Sequence, residues 1–174
     1  PKTFEGTRAF AKQMTKTPGR DGNPRQRTTR LIDDMLHERQ RMLVLLWELS
    51  KLDLANIDDA IAHVLNDFLE ILVDYIACGH FGLYRRIADG KERRYQVVET
   101  AKEIYPRISR TTDVAIEFSE RYETVDDGHI ESNLAEDLST LGEEVTTRIE
   151  LEGRLIQAML GPDYSIPAAN PQPI

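Results

Sequence analysis

Cysteine is almost absent from this sequence. The single thiol, Cys78, excludes an internal disulfide framework and cannot by itself make a zinc site, which fits a reducing compartment. Long apolar runs are absent too. No stretch approaches the roughly 18 consecutive apolar residues of a membrane span, and no charged segment followed by an apolar one marks a secretory leader. We therefore expect a soluble, cytoplasmic chain with no membrane attachment. The motifs of common chemistry are missing as well: there is no P-loop, no Gly-x-Gly-x-x-Gly, and no Glu-x-x-His of the kind that builds a di-iron centre in a helical bundle. Asp126 and His129 fall in the turn "VDDGH", where local hydrogen bonding accounts for them. His37 lies opposite the apolar stripe of its helix, and Cys78 with His80 lacks a third orienting group, so a buried structural cysteine is the simpler reading. No catalytic residue, metal or cofactor is expected, and hence no enzyme.

What is present is charge, unevenly divided. Residues 1–30 hold eight Lys or Arg against Glu5 and Asp21, a net of +6, so the chain's total of −8 leaves −14 on the remainder. Residues 1–27 combine Pro, Gly and basic residues without an apolar period and read as a basic mobile arm, with a short helix around Phe10 and Met14. Residues 161–174, "GPDYSIPAANPQPI", read as a Pro-rich disordered tail. An acidic body repels a phosphate backbone, and no basic helix is available to enter a groove, so direct DNA binding is not expected. A basic protein partner suits it better.

Between arm and tail, residues 28–160 carry apolar positions at helical spacing, which predicts an all-α, single helical-bundle domain of four long helices with short connecting ones. The first helix starts near Thr28 or Thr29 as cap and buries Ile32, Met35, Leu36, Met42, Leu43, Leu46 and Leu49. In "MLVLLW", Val44 and Trp47 point away from that stripe, to be covered by another helix or to form a patch for a partner. The second helix runs from Asn56 to about Cys78, with Ile57, Ile61, Val64, Phe68, Leu72 and Tyr75 inward. On another flank His63, Asp67, Glu70 and Asp74 follow at spacings of four, three and four, an acidic ridge that is either a solvated face or an interaction face. Gly79 is placed to stop this helix in the left-handed conformation, with His80 on its free carbonyls and Phe81 packing back over the break. "HFGLYRRIADG" reads as a short helix closed by Gly90, and Pro106 separates a helix ending at Ile104 or Tyr105 from one ending at Tyr122. The last helix extends from about Ile130 to Leu160. Arg148 and Glu152 lie on its apolar stripe, one turn apart and able to pair.

Three ordered blocks resemble the Rsd/AlgQ family of bacterial anti-sigma factors. "LVDYIACGHFGLYRRI" is similar to the family's Leu-Val-Asp-Tyr element followed by Gly-His-Phe, "RLIDDMLHERQRML" to its first core helix, and "DLSTLGEEVTTRIELEGRLI" to its last, while "AKEIYPRI" resembles its Ala-Lys-x-x-Pro segment. The likeness spans roughly Arg30 to Leu160; the arm, the tail and the "ADGKERRY" connection fall outside it. It implies a non-enzymatic bundle that binds the C-terminal promoter-reading domain of the primary sigma factor and reduces its use by RNA polymerase. Asp74, as the Leu-Val-Asp-Tyr aspartate, is the first interface candidate, followed by Glu70, Asp67 and His63. Gly79, His80 and Phe81 are expected to brace the helix. The alternatives are a signalling adaptor for another regulatory protein, such as a phosphocarrier or alarmone enzyme, and a small-molecule or metal-binding bundle.

Overall fold

The computed structural model describes residues 23–123 and 133–169. In chain order the elements are α1 (Pro24–Ser50), α2 (Asp59–Gly79), a π-helical turn (His80–Tyr84), α3 (Arg85–Ala88), α4 (Tyr95–Tyr122) and α5 (Leu134–Leu160). The four long helices form two hairpins, α1 with α2 and α4 with α5, and contacts of α2 with α4 and of α1 with α5 close the bundle. No strand occurs among the described residues. The all-α bundle expected from the 3.6-residue period is the fold observed. Its inner faces are those the spacing selects, with Ile32, Met35, Met42, Phe68, Leu72, Ile104 and Leu155 at 0–1% exposure.

Helix starts and stops depart from the expectation where one hydrogen bond decides them. α1 begins four residues before Thr28, because Asn23 accepts from the Arg25 amide at 3.2 Å and Pro24 takes the first helical position, where its missing N–H costs nothing. Residues 24–27 therefore belong to the bundle and not to an arm, and Thr28 and Thr29 bond back to the carbonyls of Pro24 and Arg25 in place of capping. α2 is capped by Asp58, whose carboxylate accepts from the Ile61 amide at 2.9 Å. Pro106 does not break α4. It and Lys102, whose carbonyl loses its usual donor, are both exposed, so water can take the free acceptor. The turn with Asp126 and His129, and the start at Ile130, lie outside the described residues.

Gly79 is not a stop either. Its φ of −62° and ψ of −48° are ordinary right-handed helix, and the chain runs on through the π turn; the left-handed glycine that ends the run is Gly90, at φ 68°. The reason for a glycine at 79 is proximity. A Cβ there would lie 3.1 Å from Arg148 Nη2 and 3.3 Å from Tyr84 Cε2. The π turn has its own consequence. At 100° per residue Tyr84 sits nine residues, and so half a turn, from the inward-facing Tyr75. The wider turn absorbs about one residue and swings Tyr84 back towards the core, where it is 4% exposed.

What Gly79 and Tyr84 approach is a charged pair inside the bundle. Arg148 and Glu152 have side chains 1% and 0% exposed and meet at 2.9 Å through Nε and Oε1. Arg148 Nη1 also donates to Thr111 Oγ1 at 3.1 Å and to Thr112 Oγ1 at 2.8 Å, and Tyr75 donates its hydroxyl to Glu152 Oε2. The rings of Tyr75 and Tyr84 stand 5.6 and 5.9 Å from the guanidinium carbon. Burial opposes the charge of Arg148, but the attraction of Glu152 and both tyrosines outweighs it and raises the arginine pKa. Burial, followed by the negative charge of Glu152, pushes the Tyr75 hydroxyl well above its ordinary range, which keeps it a donor.

The tail is partly built into the fold. Arg39, 3% exposed, donates to the Pro167 carbonyl at 2.8 Å, Tyr164 donates to Asp33 at 3.0 Å, and Tyr164 and Ile166 pack on the core. Residues 161–169 are thus a strap over α1 and α5, not a disordered extension; a buried guanidinium needs an acceptor, and the strap carbonyl supplies it. Replacing Arg148 by alanine leaves Glu152 buried without its cation. We expect a loss of about 3–5 kcal/mol and a melting temperature lower by roughly 10 °C or more, read by circular dichroism; an unchanged melting curve would count against the burial of the pair.

Candidate functional site

The acidic ridge borders a groove between α1 and α2. α1 contributes Gln40, Arg41, Val44 and Leu45, α2 contributes Asp67, Glu70, Ile71 and Asp74, and the space between them measures about 600 Å³. The helical period explains the arrangement, since Asp67, Glu70, Ile71 and Asp74 recur at three and four residues along one edge of α2. The floor is apolar. Val44, Leu45 and Ile71 are each half-buried, so the neighbouring helix covers Val44 only in part. Trp47 is half-buried as well, with the Lys51 ammonium 2.9 Å from its ring centre.

The structure separates the four ridge residues. Asp67 and Glu70 are exposed and Asp74 is half-buried, all three on the groove. His63 stands one turn earlier, outside it, with Nε2 3.7 Å from Asp67 Oδ2. Asp74 is not the freely solvated charge that a ridge on the outer flank suggests. Burial raises its pKa, Glu38 across the groove adds to the rise, and Arg41 offsets part of it. Arg41 is itself held by Glu38 at 3.1 Å. Sequence spacing on α2 does not reveal Glu38 and Arg41, because they come from another helix; their own spacing of three on "HERQR" was the available signal.

Gly79, His80 and Phe81 lie at the far end of α2. His80 is exposed and meets Phe81 edge to face, ring centres 5.0 Å apart, and both border a smaller apolar cleft of about 240 Å³ that reaches Thr112 and Ala115 on α4. Cys78 is 3% exposed, and burial pushes its thiol up to about 12, so no thiolate is available at neutral pH. Among the described residues no group of His, Cys, Asp and Glu is arranged to hold a metal ion. No described helix is long and apolar enough to cross a membrane. The arrangement offers a negatively rimmed, apolar-floored recess and no assembled catalytic set.

The pKa of Asp74 gives a test of this geometry. A carboxyl whose folded pKa is raised contributes stability that is fully present below about pH 3.8 and is lost as pH rises through the folded value, so at pH 7 the ionised group opposes folding. Asp74→Asn is therefore expected to melt at or above the wild-type temperature at pH 7, with the two curves converging as pH falls towards 4. A variant that melts well below wild type at pH 7 would show that the carboxylate makes a structural bond. For Cys78, a thiol-reactive disulfide should react with the native protein only at the rate of transient opening, and promptly in denaturant; prompt reaction without denaturant would place the thiol at the surface.

The family model described as "Regulator of RNA polymerase sigma(70) subunit, Rsd/AlgQ" matches residues 19–160. Proteins named "Regulator of sigma D" from Escherichia coli O1:K1 and from Shigella dysenteriae serotype 1 are each 30% identical over 139 residues, covering 76% of this chain and 85% of the relative. The matched segment takes in the whole described bundle, from the Asn23 cap of α1 to the end of α5, with the Leu-Val-Asp-Tyr aspartate on the groove. The chain is a member of the Rsd/AlgQ family of regulators of the RNA polymerase sigma(70) subunit.

Proposed function

We propose that the groove between α1 and α2 receives the C-terminal promoter-reading domain of the primary sigma factor, and that the protein lowers the use of that factor by RNA polymerase without catalysing a reaction. Such a regulator works where the polymerase is, in the cytoplasm. The observation that carries this reading is the position of Asp74: the aspartate of the Leu-Val-Asp-Tyr element lies on an apolar recess rimmed by Asp67 and Glu70, in a chain belonging to a family of sigma regulators.

A domain that reads promoter DNA through a helix-turn-helix offers arginine and lysine to phosphates and base edges. Asp67 and Glu70, exposed at the rim, would steer those cations, and Val44, Leu45 and Ile71 would supply apolar contact. Asp74 has a more specific part. Burial and the nearby Glu38 raise its pKa, and an incoming arginine would offset both as it bonds. His63, tied to Asp67 and outside the groove, is assigned to the periphery.

Calorimetric titration of the isolated sigma C-terminal domain tests the assignment. Asp74→Ala should weaken binding by about 1–3 kcal/mol while leaving the fold intact, whereas His63→Ala should change it by only tenths. Wild-type affinity should fall as salt rises, and more steeply than that of the Asp74 variant. Equal affinities for wild type and Asp74→Ala would remove the groove from the interface. Recovery from a bacterial lysate of a phosphocarrier or an alarmone enzyme with no sigma factor would favour a signalling adaptor instead.

A further inference from the structure

The "ADGKERRY" connection lies between the quoted blocks and within the matched residues 19–160, and the structure gives it a location. It folds against the start of α1 and the end of α5, where Arg94 Nη1 donates to the Met159 carbonyl and Arg86 Nη1 reaches Thr28 Oγ1 at 3.4 Å. The three segments enclose a cavity of about 560 Å³ lined by Arg25, Arg86, Lys91, Arg93 and Arg94, with Glu92 as the one carboxylate. Five cations against one anion is the reverse of the balance over residues 31–174, which is −14 even with four of those cations and Glu92 counted in it.

The cations are also undercompensated. Glu92 places both oxygens on Arg94, at 2.9–3.0 Å, and Lys91 leans towards Asp89 at 3.7 Å. Among the described residues Arg25, Arg86 and Arg93 make no salt bridge and Arg86 Nε is buried without a hydrogen-bond partner, although, after Arg94, Arg86 lies near enough to Glu92 to help lower the pKa of that carboxyl. Some arginines elsewhere do meet carboxylates, Arg107 with Glu144, Arg121 with Asp137 and Arg154 with Glu103, and the buried Arg39 meets the Pro167 carbonyl. Three guanidiniums without a salt bridge among the described residues repel each other around one concavity, and an entering anion relieves that repulsion. The amides at the start of α1 are already engaged by Asn23, so the helix adds its field but no free donors.

We propose that this cavity binds a small ligand carrying a chain of two or more phosphates, either a nucleoside polyphosphate or an inorganic one. Guanidinium forks match phosphate oxygens in pairs, and a single phosphate would leave most of the cluster unneutralised. The volume falls within the range of about 300–1,000 Å³ typical of small-molecule sites. Nucleic acid fits less well, because the acidic body surrounding the cavity opposes an extended backbone. Arg25 precedes the groove residue Gln40 by fifteen positions on one helix, roughly 22 Å at 1.5 Å per residue, so the two sites are separate.

The test is a calorimetric titration of the full chain with tripolyphosphate, orthophosphate and a nucleoside triphosphate. Tripolyphosphate should bind at least about tenfold more tightly than orthophosphate. The exposed pair Arg25→Gln with Arg93→Gln should lose about tenfold or more with an unchanged melting temperature and unchanged affinity for the sigma domain, whereas Glu92→Gln should tighten binding by removing the competing carboxylate. That gain is a readout that damage to the fold does not produce. A nucleoside triphosphate that outbinds tripolyphosphate identifies a nucleotide ligand, and equal affinity identifies the phosphate chain alone; both support the site. Equal affinity for tripolyphosphate and orthophosphate, insensitivity to the arginine pair, or displacement of tripolyphosphate by duplex DNA at lower phosphate concentration would overturn it.

Discussion

The bundle is organised around one buried ion pair. Arg148 and Glu152 are enclosed on every side, and a charge so placed is tolerated only if its partners are complete. Each neighbouring element answers that demand. α4 brings Thr111 and Thr112 to the guanidinium, α2 brings the Tyr75 hydroxyl to the carboxylate, and the π turn adds the ring of Tyr84. Gly79 is the place where α2 comes so close to the pair that a methyl group would crowd it. Three helices and the π turn are thereby held in one register, which apolar side chains alone specify less sharply.

Charge has a different function at the surface. Along the seam of α4 and α5, arginines and carboxylates alternate between helices and cancel, as in the bidentate contact of Arg107 with Glu144. In the groove of α1 and α2 they do not cancel. Glu38, Asp67, Glu70 and Asp74 gather around a single arginine, and the raised pKa of Asp74 records the cost. At the basal end the imbalance has the opposite sign, with Arg25, Arg86, Lys91, Arg93 and Arg94 around Glu92. Sites for partners are often found where a fold retains such repulsion, since the bound partner relieves it. The groove and the basic cavity both retain such repulsion, of opposite sign.

Much of this architecture was legible in the sequence. The inward faces of α1, α2 and α5 follow from apolar spacing, the pairing of Arg148 with Glu152 from their separation of four on such a face, and the acidic ridge from Asp67, Glu70 and Asp74 on another edge. The misreadings share a cause. Thr28, Gly79 and Pro106 each carry a local preference, for a cap, a stop and a break, and each preference yields to its surroundings: the Asn23 side chain, the approach of Arg148, and the solvent exposure of Lys102 and Pro106 on α4. The composition of the tail does not register that Arg39, 128 residues from Pro167, donates to its carbonyl.

The sequence by itself therefore determined the helical class, most of the buried faces and the charge carried on each edge, because these depend on residues three and four apart along one chain. Tertiary structure alone decided which edges meet. It set Glu38 and Arg41 opposite Asp74, closed the tyrosines over the buried pair, and drew the start of α1, the connection before α4 and the end of α5 around one basic cavity. Those pairings depend on distance across the bundle, which periodicity along a helix does not encode.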